Sequence, residues 1–265
     1  MRAAWITDPH LDHLRQHQVD EFCRDVRAAT PDVVLLGGDI AVARDVIATL
    51  DTLADAVRAP IYFVLGNHDY YGSSIDRVRR HVADFVRGSN RLRWLPTAGV
   101  VRLTDETALI GHGGWADGRF GDYAGHDLML NDYRLIDDFR ALDRAERLRK
   151  LNALGDEAAA HLRETLGKAV RGSRRVILLT HVPPFMEACW HEGHISTPEF
   201  LPHFSCKAVG DALTSVMRKH PDSELLALYG HTHSSGEARI LPNLLVRTGA
   251  AVYGQPRVQD VLTVE

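Results

Sequence analysis

Short apolar runs alternate with segments of helical periodicity through the first third of the chain. The runs predict buried strands at 3–7, 33–36 and 60–65, and the periodic segments predict amphipathic helices at 11–29, 42–57 and 75–86. Strands that are apolar at nearly every position and separated by helices usually pair in parallel, with both sheet faces covered. This part of the chain therefore predicts a parallel α/β sheet.

The rest of the chain is less regular. The predicted elements are a hairpin (100–103 and 107–110), one or two helices over 143–170 that break near Gly155, strands at 175–180 and 225–229, a helix at 209–219, and short strands at 238–241, 244–248 and 258–264. We expect one domain over 1–265. Two segments, about 111–170 and 185–207, are expected to be insertions on the substrate side, because long aperiodic segments in compact domains are usually functional.

Composition narrows the function classes. Hydrophobic residues make up 45% and charged residues 25% of the chain, which is typical of a globular protein. The net charge of −4 gives no reason to expect a nucleic-acid or membrane partner, and the basic run at 77–93 is interpreted as a solvated helix face. The three cysteines form no CxxC pair, and no signal peptide or membrane span is visible, so we expect a cytoplasmic protein.

Polar side chains follow five of the predicted strands. They are Asp8 and His10, Asp39, the run Asn67, His68 and Asp69, then His181, and finally His231 and His233. Ligands of open α/β sheets bind outside the carboxyl ends of the strands, so these loops are candidates for one site. Carboxylate oxygens and imidazole nitrogens that converge from several strands are what a pair of divalent metal ions requires.

This ordered set resembles the calcineurin-like metallophosphoesterases over nearly the whole chain. The resemblance implies an α/β fold, a four-layer α/β/β/α sandwich of mixed sheets with the metals at the carboxyl ends of the strands. The implied ligands of the first ion are Asp8, His10, Asp39 and His233. Asp39 would bridge to a second ion, whose further ligands are Asn67, His181 and His231. His68 would be the catalytic group over the substrate phosphate, with Asp69 orienting it.

The implied chemistry is hydrolysis of a phosphate ester by a hydroxide that bridges two divalent or transition metal ions. Manganese, iron and zinc all suit such ligands. The protein Ser/Thr phosphatase branch carries an arginine followed by glycine after the second aspartate, whereas Arg44 stands one place later and precedes Asp45. We therefore expect a small-molecule phosphodiester as substrate. The alternatives are a phosphomonoesterase or nucleotide pyrophosphate hydrolase, and a non-catalytic metal-binding scaffold.

Several residues of the two inserted segments are candidates for substrate binding. They are His112, Trp115, Arg119, Tyr123 and His191. Each also has a structural interpretation, as part of a loop or lid packed by its own aromatic and sulfur side chains, among them Cys189 and Cys206. His13 and His17 are expected on the solvent side of the first helix, with Cys23 in its apolar core.

Overall fold

The computed structural model describes residues Met1–Glu265. The strands are β1 (Arg2–Ile6), β2 (Val33–Leu36), β3 (Ile61–Phe63), β4 (Leu92–Trp94), β5 (Val101–Arg102), β6 (Thr107–His112), β7 (Arg175–Thr180), β8 (Trp190–His191), β9 (His194–Ile195), β10 (Glu224–Tyr229), β11 (Gly236–Leu241), β12 (Leu244–Thr248) and β13 (Asp260–Thr263). The helices are α1 (Gln16–Ala28), α2 (Val46–Val57), α3 (Ile75–Arg87), α4 (Leu95–Ala98), α5 (Asp132–Leu135), α6 (Arg144–Gly172), α7 (Leu201–Phe204) and α8 (Lys207–Met217).

Two mixed sheets form the centre of the molecule. The first has the order β13-β1-β2-β3-β4, parallel except for β13. The second has the order β11-β12-β10-β7-β6-β5, with antiparallel edge strands β11 and β5 around four parallel strands. A separate two-stranded hairpin, β8 with β9, lies in the second inserted segment. The parallel α/β prediction for the first third is confirmed, since β1, β2 and β3 pair in parallel.

Three apolar clusters define the layers. Side chains alternate along a strand, so β1 turns Ala4 and Ile6 toward α1, α2 and α3 but turns Trp5 toward the second sheet. Trp5 packs there with Leu109 and Leu179 from β6 and β7. The far face of the second sheet packs against α6 and α8. The expected four-layer α/β/β/α sandwich is therefore confirmed.

Several predicted boundaries are wrong, for identifiable reasons. The helix predicted from residue 11 begins at Gln16, because Leu11–His13 forms a 3-10 turn beside the polar end of β1. The break predicted near Gly155 is absent, and α6 runs for 29 residues. A Cβ atom at position 155 would lie 2.5 Å from Cβ of Asp117, so glycine there allows close packing rather than ending the helix. Strand β4 was not predicted.

The carboxyl ends of β1, β2, β3, β7 and β10 meet at one edge of the two sheets, and the polar residues singled out from the sequence lie there. No helix is long and apolar enough to cross a bilayer.

Candidate metal centre

The first predicted ligand set is assembled in the structure. One donor atom from each of Asp8, His10, Asp39 and His233 lies within 4.8 Å of all the others. The Nε2 atoms of His10 and His233 are 3.1 Å apart, and Nε2 of His233 is 3.5 Å from a carboxylate oxygen of Asp8. The set forms a candidate metal-binding site, in which only His233 is partly exposed to solvent.

A second set of donors lies on the other side of Asp39. The amide oxygen of Asn67 is 3.0 Å from Nε2 of His181 and 2.9 Å from Nδ1 of His231. Nε2 of His181 is also 3.3 Å from Oδ1 of Asp39, whereas Oδ2 of Asp39 is 3.8 Å from Nε2 of His10. The two oxygens of Asp39 thus face different sets, which is the placement required of a carboxylate shared by two ions.

The donor atoms of the second set fit a cation. Nε2 of His231 lies 3.4 Å from the backbone carbonyl of His203 and donates its proton there, so Nδ1 carries a lone pair. That lone pair faces the amide oxygen of Asn67, another acceptor, at 2.9 Å. Two acceptors this close repel each other unless a positive charge lies between them. Oxygen and imidazole ligands suit divalent metal ions.

The backbone around the donors is strained. Left-handed φ angles, which L residues seldom adopt, occur at eight non-glycine positions, and five of these are donors. The five are Asp8, His10, Asp39, His231 and His233. Such residues persist only where the surrounding structure holds them, and they cluster at functional sites.

Two glycines allow the loops to approach this closely. A Cβ atom at position 66 would overlap Oδ1 of Asp39 and would lie 2.7 Å from the ring of His181. A Cβ atom at position 230 would overlap the carboxylate of Asp8. Any side chain at position 66 or 230 would therefore displace a donor. This explains why glycine occupies these two positions in the strand-end motifs.

The electrostatics of the donors follow from burial and proximity. Burial lowers the pKa of His10 to about 4 and that of His231 to about 3, so both imidazoles are neutral, as metal binding requires. Burial alone would also lower the pKa of His181, but the carboxylates of Asp39 and Asp8 raise it to about 10. Burial would likewise raise the pKa of Asp39, but His181 and His68 hold it well below its usual range. A proton on His181 and a metal ion therefore compete for the same carboxylates.

His68 lies beside the two sets, with its side chain 19% exposed. Its backbone N–H donates to Oδ1 of Asp39 at 2.9 Å, and Nε2 of its ring is 4.0 Å from Oδ2 of the same residue. The ring stacks on Tyr71, with centroids 4.3 Å apart and planes at 28°. This places an imidazole at the edge of the metal centre that faces solvent.

Asp69 does not contact the ring of His68 through a hydrogen bond. Its Oδ1 accepts the backbone N–H groups of Ile40 and Ala41 at 2.8 and 3.0 Å, and its Oδ2 accepts that of Gly66 at 2.8 Å. The carboxylate is fully buried and ties the loop after β2 to the loop after β3. The direct orienting role expected for Asp69 is thus replaced by a role in holding the two loops together.

A cavity of about 410 Å³ opens over His68 and the second donor set. It is lined by Asn67, His68, Tyr71, Leu130, Asn131, Asp132, His191, Glu192, Phe204, His231, Thr232, His233, Ser234 and Tyr253. This lining contains two carboxylates outside the ligand sets, three aromatic rings and no lysine or arginine. Of the five substrate candidates, the structure brings His191 to the cavity.

The other four candidates lie elsewhere. His112 is buried and its Nδ1 accepts the N–H of Gly114 at 3.0 Å; burial lowers its pKa to about 3. Trp115 stacks on Phe139 in the first apolar cluster, with centroids 5.7 Å apart. The chain after β6 turns away from the two donor sets toward α6, so aromatic residues close to the glycine loop pack into the core instead.

Arg119 and Tyr123 belong to the same inward turn. Arg119 forms ion pairs with Asp117 at 3.1 Å and with Asp156 at 2.8 Å. The hydroxyl of Tyr123 accepts from Nε of Arg147 at 3.0 Å. Both side chains are therefore used in holding the inserted segment against α6 rather than in facing the cavity.

The three cysteines and the histidines at positions 13 and 17 are not members of either donor set. Cys23, Cys189 and Cys206 are buried, and Cys206 lies 3.8 Å from a carboxylate oxygen of Asp117 rather than near the donors. His13 and His17 are exposed, as expected.

Nine of the fourteen cavity residues are not among the residues expected from the sequence, and Tyr71, Asp132 and Tyr253 are three of them. Tyr71 lies only four residues after Asn67, so its proximity to a strand-end motif was an available signal. Asp132 and Tyr253 carry no local pattern. Tyr253 is 48% exposed, and its ring lies 4.5 Å from that of His10.

A larger depression of about 1090 Å³ lies at the opposite ends of β7 and β10. Its charged lining residues, such as Arg174 and Glu224, are of both signs. It therefore lacks the convergence of donors found at the carboxyl ends of the strands.

Solved structures with this fold share little sequence with the chain. A dimetal phosphatase from Danio rerio is 16% identical, with a TM-score of 0.61 over 97% of this chain and 89% of that protein. Phosphopantetheinyl hydrolase from Mycobacterium tuberculosis is 15% identical, with a TM-score of 0.63 over 95% of this chain and 89% of that protein. No curated protein matches the sequence.

The sequence pattern of the calcineurin-like phosphoesterases matches residues 1–235, which include every predicted metal donor. The match, the four-layer fold and the converging donors agree with one another. The chain belongs to the calcineurin-like phosphoesterase family and is a metal-dependent phosphoric ester hydrolase.

Proposed function

We propose that the enzyme hydrolyses small phosphodiesters. The observation that carries the proposal is the charge of the cavity, where Asp132 and Glu192 contribute carboxylates and no lysine or arginine lines the wall. A phosphodiester carries one negative charge, whereas a phosphomonoester carries nearly two near neutral pH and a nucleotide pyrophosphate carries several. Additional negative charge would be repelled by these carboxylates, with no cationic side chain to balance it.

In this proposal Asp39 is shared between the two donor sets. Asp8, His10 and His233 complete the first set, and Asn67, His181 and His231 complete the second. Divalent ions held there supply Lewis-acid stabilisation of the phosphoryl oxygens and lower the pKa of a water molecule. The strained loops and buried carboxylates keep the donors in place before substrate arrives, which limits reorganisation during the reaction.

His68 is the proposed general acid. Its ring stands at the cavity side of Asp39, where it can hydrogen-bond the phosphate and give a proton to the departing alkoxide. Tyr71 restricts the rotation of this ring by stacking on it. Asp69 contributes indirectly, because it fixes the loop from which His68 projects.

The cavity charge argues against the alternative substrates, and the intact donor sets argue against a non-catalytic scaffold. Aromatic side chains at Tyr71, Phe204 and Tyr253 favour an ester whose alcohol groups are uncharged or cationic and present an apolar face.

The test compares bis-p-nitrophenyl phosphate with p-nitrophenyl phosphate in the presence of Mn²⁺, for the wild type, Glu192→Gln and the control Glu199→Gln. We expect a higher kcat/KM for the diester. Glu192→Gln should raise the monoester rate relative to the diester rate by roughly 1.4- to fivefold, since an exposed charge interaction contributes about 0.2–1 kcal/mol. Glu199 does not line the cavity, so its substitution should leave the ratio unchanged. Preference for the monoester, or an unchanged ratio in Glu192→Gln, would contradict the proposal.

A further inference from the structure

Asp132 lies at the start of α5, in the first inserted segment, and reaches the metal centre from outside the strand-end loops. It is 6% exposed. Its Oδ1 atom accepts a hydrogen bond from the amide nitrogen of Asn67 at 2.9 Å and another from the hydroxyl of Tyr71 at 2.6 Å. A single carboxylate oxygen thus contacts a donor of the second set and the residue that stacks on His68.

The contact with Asn67 decides which end of its amide faces the metals. The oxygen and nitrogen of an asparagine side chain have nearly the same shape, so only their hydrogen-bond partners fix the orientation. An ionised carboxylate accepts hydrogen bonds and donates none, so the group that faces Asp132 must be the NH₂. The amide oxygen then points to His181 and His231, where a metal ligand is needed.

The other neighbours of Asn67 do not enforce this orientation alone. Nδ1 of His231 at 2.9 Å would accept a hydrogen bond from the NH₂ group if the amide turned over, and so would Nε2 of His181 at 3.0 Å in the deprotonated form that binds a metal ion. In that orientation the second set would lose the amide oxygen as a ligand and would present NH₂ hydrogens to the ion. Asp132 makes the turned orientation unfavourable. In that orientation its carboxylate oxygen would face the amide oxygen of Asn67, and two acceptors would be in contact.

We propose that Asp132 is a positioning residue that directs the amide oxygen of Asn67 toward the second ion and holds Tyr71 against His68. The inference rests on the proposed role of Asn67 as a ligand. It gives the inserted segment a part in assembling the metal centre, in addition to lining the cavity.

The test is a double-mutant cycle on metal affinity, measured by titration of Mn²⁺ against a chelator, with no substrate present. Leucine has a volume similar to that of aspartate but no acceptor. Asp132→Leu should therefore lower the affinity for one of the two ions by about 10–100-fold, the usual effect of losing a residue that hydrogen-bonds a metal ligand. The other ion should change by less than about threefold. Asp132→Asn also introduces an NH₂ donor, but the hydroxyl of Tyr71 favours an oxygen at the place of Oδ1, so this variant should restore part of the lost affinity.

The cycle separates positioning from general stability. If Asp132 acts on the ion through Asn67, then Asp132→Leu should have no further effect in an Asn67→Ala background. Additive losses, equal weakening of both ions, or unchanged affinity in Asp132→Leu would overturn the proposal. Asp132→Ala replaces Asp132→Leu in the same cycle if the latter does not fold, and the same non-additivity is expected.

Two controls keep the outcomes distinct. Asp127 is exposed, lies in the same segment and makes no hydrogen bond through its side chain, so Asp127→Leu should bind both ions as the wild type does. A wild type that binds two ions and hydrolyses diesters, but shows no coupling between positions 67 and 132, would refute this inference alone. A wild type that binds fewer than two ions would refute the proposed function itself.

Discussion

The strand-end loops and the first inserted segment, which contains Asp132, both border the cavity, but they are held in different ways. In the strand-end loops the backbone fixes the side chains: the carboxylate of Asp8 accepts the N–H of His231 at 2.9 Å, and that of Asp39 accepts the N–H of His68 at 2.9 Å. In the inserted segment, backbone N–H groups of Asp117, Gly118 and Asp122 donate to carbonyls of residues 198–205, and side chains of α6 add further contacts. Arg144 donates to the backbone carbonyls of the 123–126 turn.

The difference concerns how much displacement each region tolerates. A donor held by a left-handed backbone and a neighbouring glycine has little freedom, because any shift meets another donor or strand. Residues 124–126 are exposed and are bonded to the long side chain of Arg144, which can follow them when they move. We therefore expect all-or-none effects from changes in the strand-end loops and graded effects on substrate binding from changes in this turn, whereas Asp132 acts on the metal centre through its contact with Asn67.

The largest effect on turnover is expected for His68→Ala. Loss of a general acid should lower kcat by about 10²–10⁴-fold for a diester with an alkyl leaving group, because the departing alkoxide needs a proton. The loss should be smaller for p-nitrophenyl leaving groups, because p-nitrophenolate is a weak base and can depart without being protonated. Metal content should stay at the wild-type value. Equal losses for both leaving groups would contradict the acid role, and His13→Ala, at an exposed position nearby, serves as the control.

Gly66→Ala tests the tightness of the strand-end loops with one methyl group. The methyl would overlap Asp39 and press on His181, so both ions should bind more weakly and kcat/KM should fall by about 10²-fold or more. The matched control is Gly88→Ala, since a Cβ atom there meets nothing within 4 Å and its φ angle is −89°. Metal content by elemental analysis and kcat/KM measure both variants. Normal activity in Gly66→Ala would show that the loops can shift to accommodate the methyl group, which would contradict the expected tight packing.

Arg144→Ala tests the inserted segment and should have the smallest effect. Hydrogen bonds to a charged group contribute about 1.5–3 kcal/mol each, but here they order a loop rather than bind substrate. We expect KM to rise by roughly 3–10-fold, with kcat and metal content within about twofold of the wild type. Arg149→Ala, on the exposed face of the same helix, is the control. Loss of metal in Arg144→Ala would mean that the 123–126 turn also supports the metal centre.

The same difference explains what could be predicted from sequence. Asp8 and His10, or His231 and His233, stand two apart at the end of an apolar run, so local spacing alone places them on one side of one edge. Asp69 was predicted to lie at the site, but its partners were not, because they are backbone N–H groups of two loops that meet only in the folded chain.

Residues of the inserted segment gave no comparable signal. Asp132 contacts Asn67 across 65 positions of the chain, through one hydrogen bond that no periodicity encodes. Trp115 was chosen because aromatic residues near a glycine loop are common at sites, yet burial of its large apolar surface against Phe139 decided its position. Strand ends are set by local pattern, whereas loop positions are set by contacts formed only in the folded chain.

In the proposed metal centre Asp39 is shared by two ions. The number of Mn²⁺ ions bound per chain tests this directly, measured by elemental analysis after dialysis for the wild type and Asp39→Ala, together with hydrolysis of bis-p-nitrophenyl phosphate. We expect close to two ions in the wild type, with fewer than one ion and no detectable hydrolysis in Asp39→Ala. A wild type that is active with one ion, or an Asp39→Ala variant that retains two ions, would contradict it.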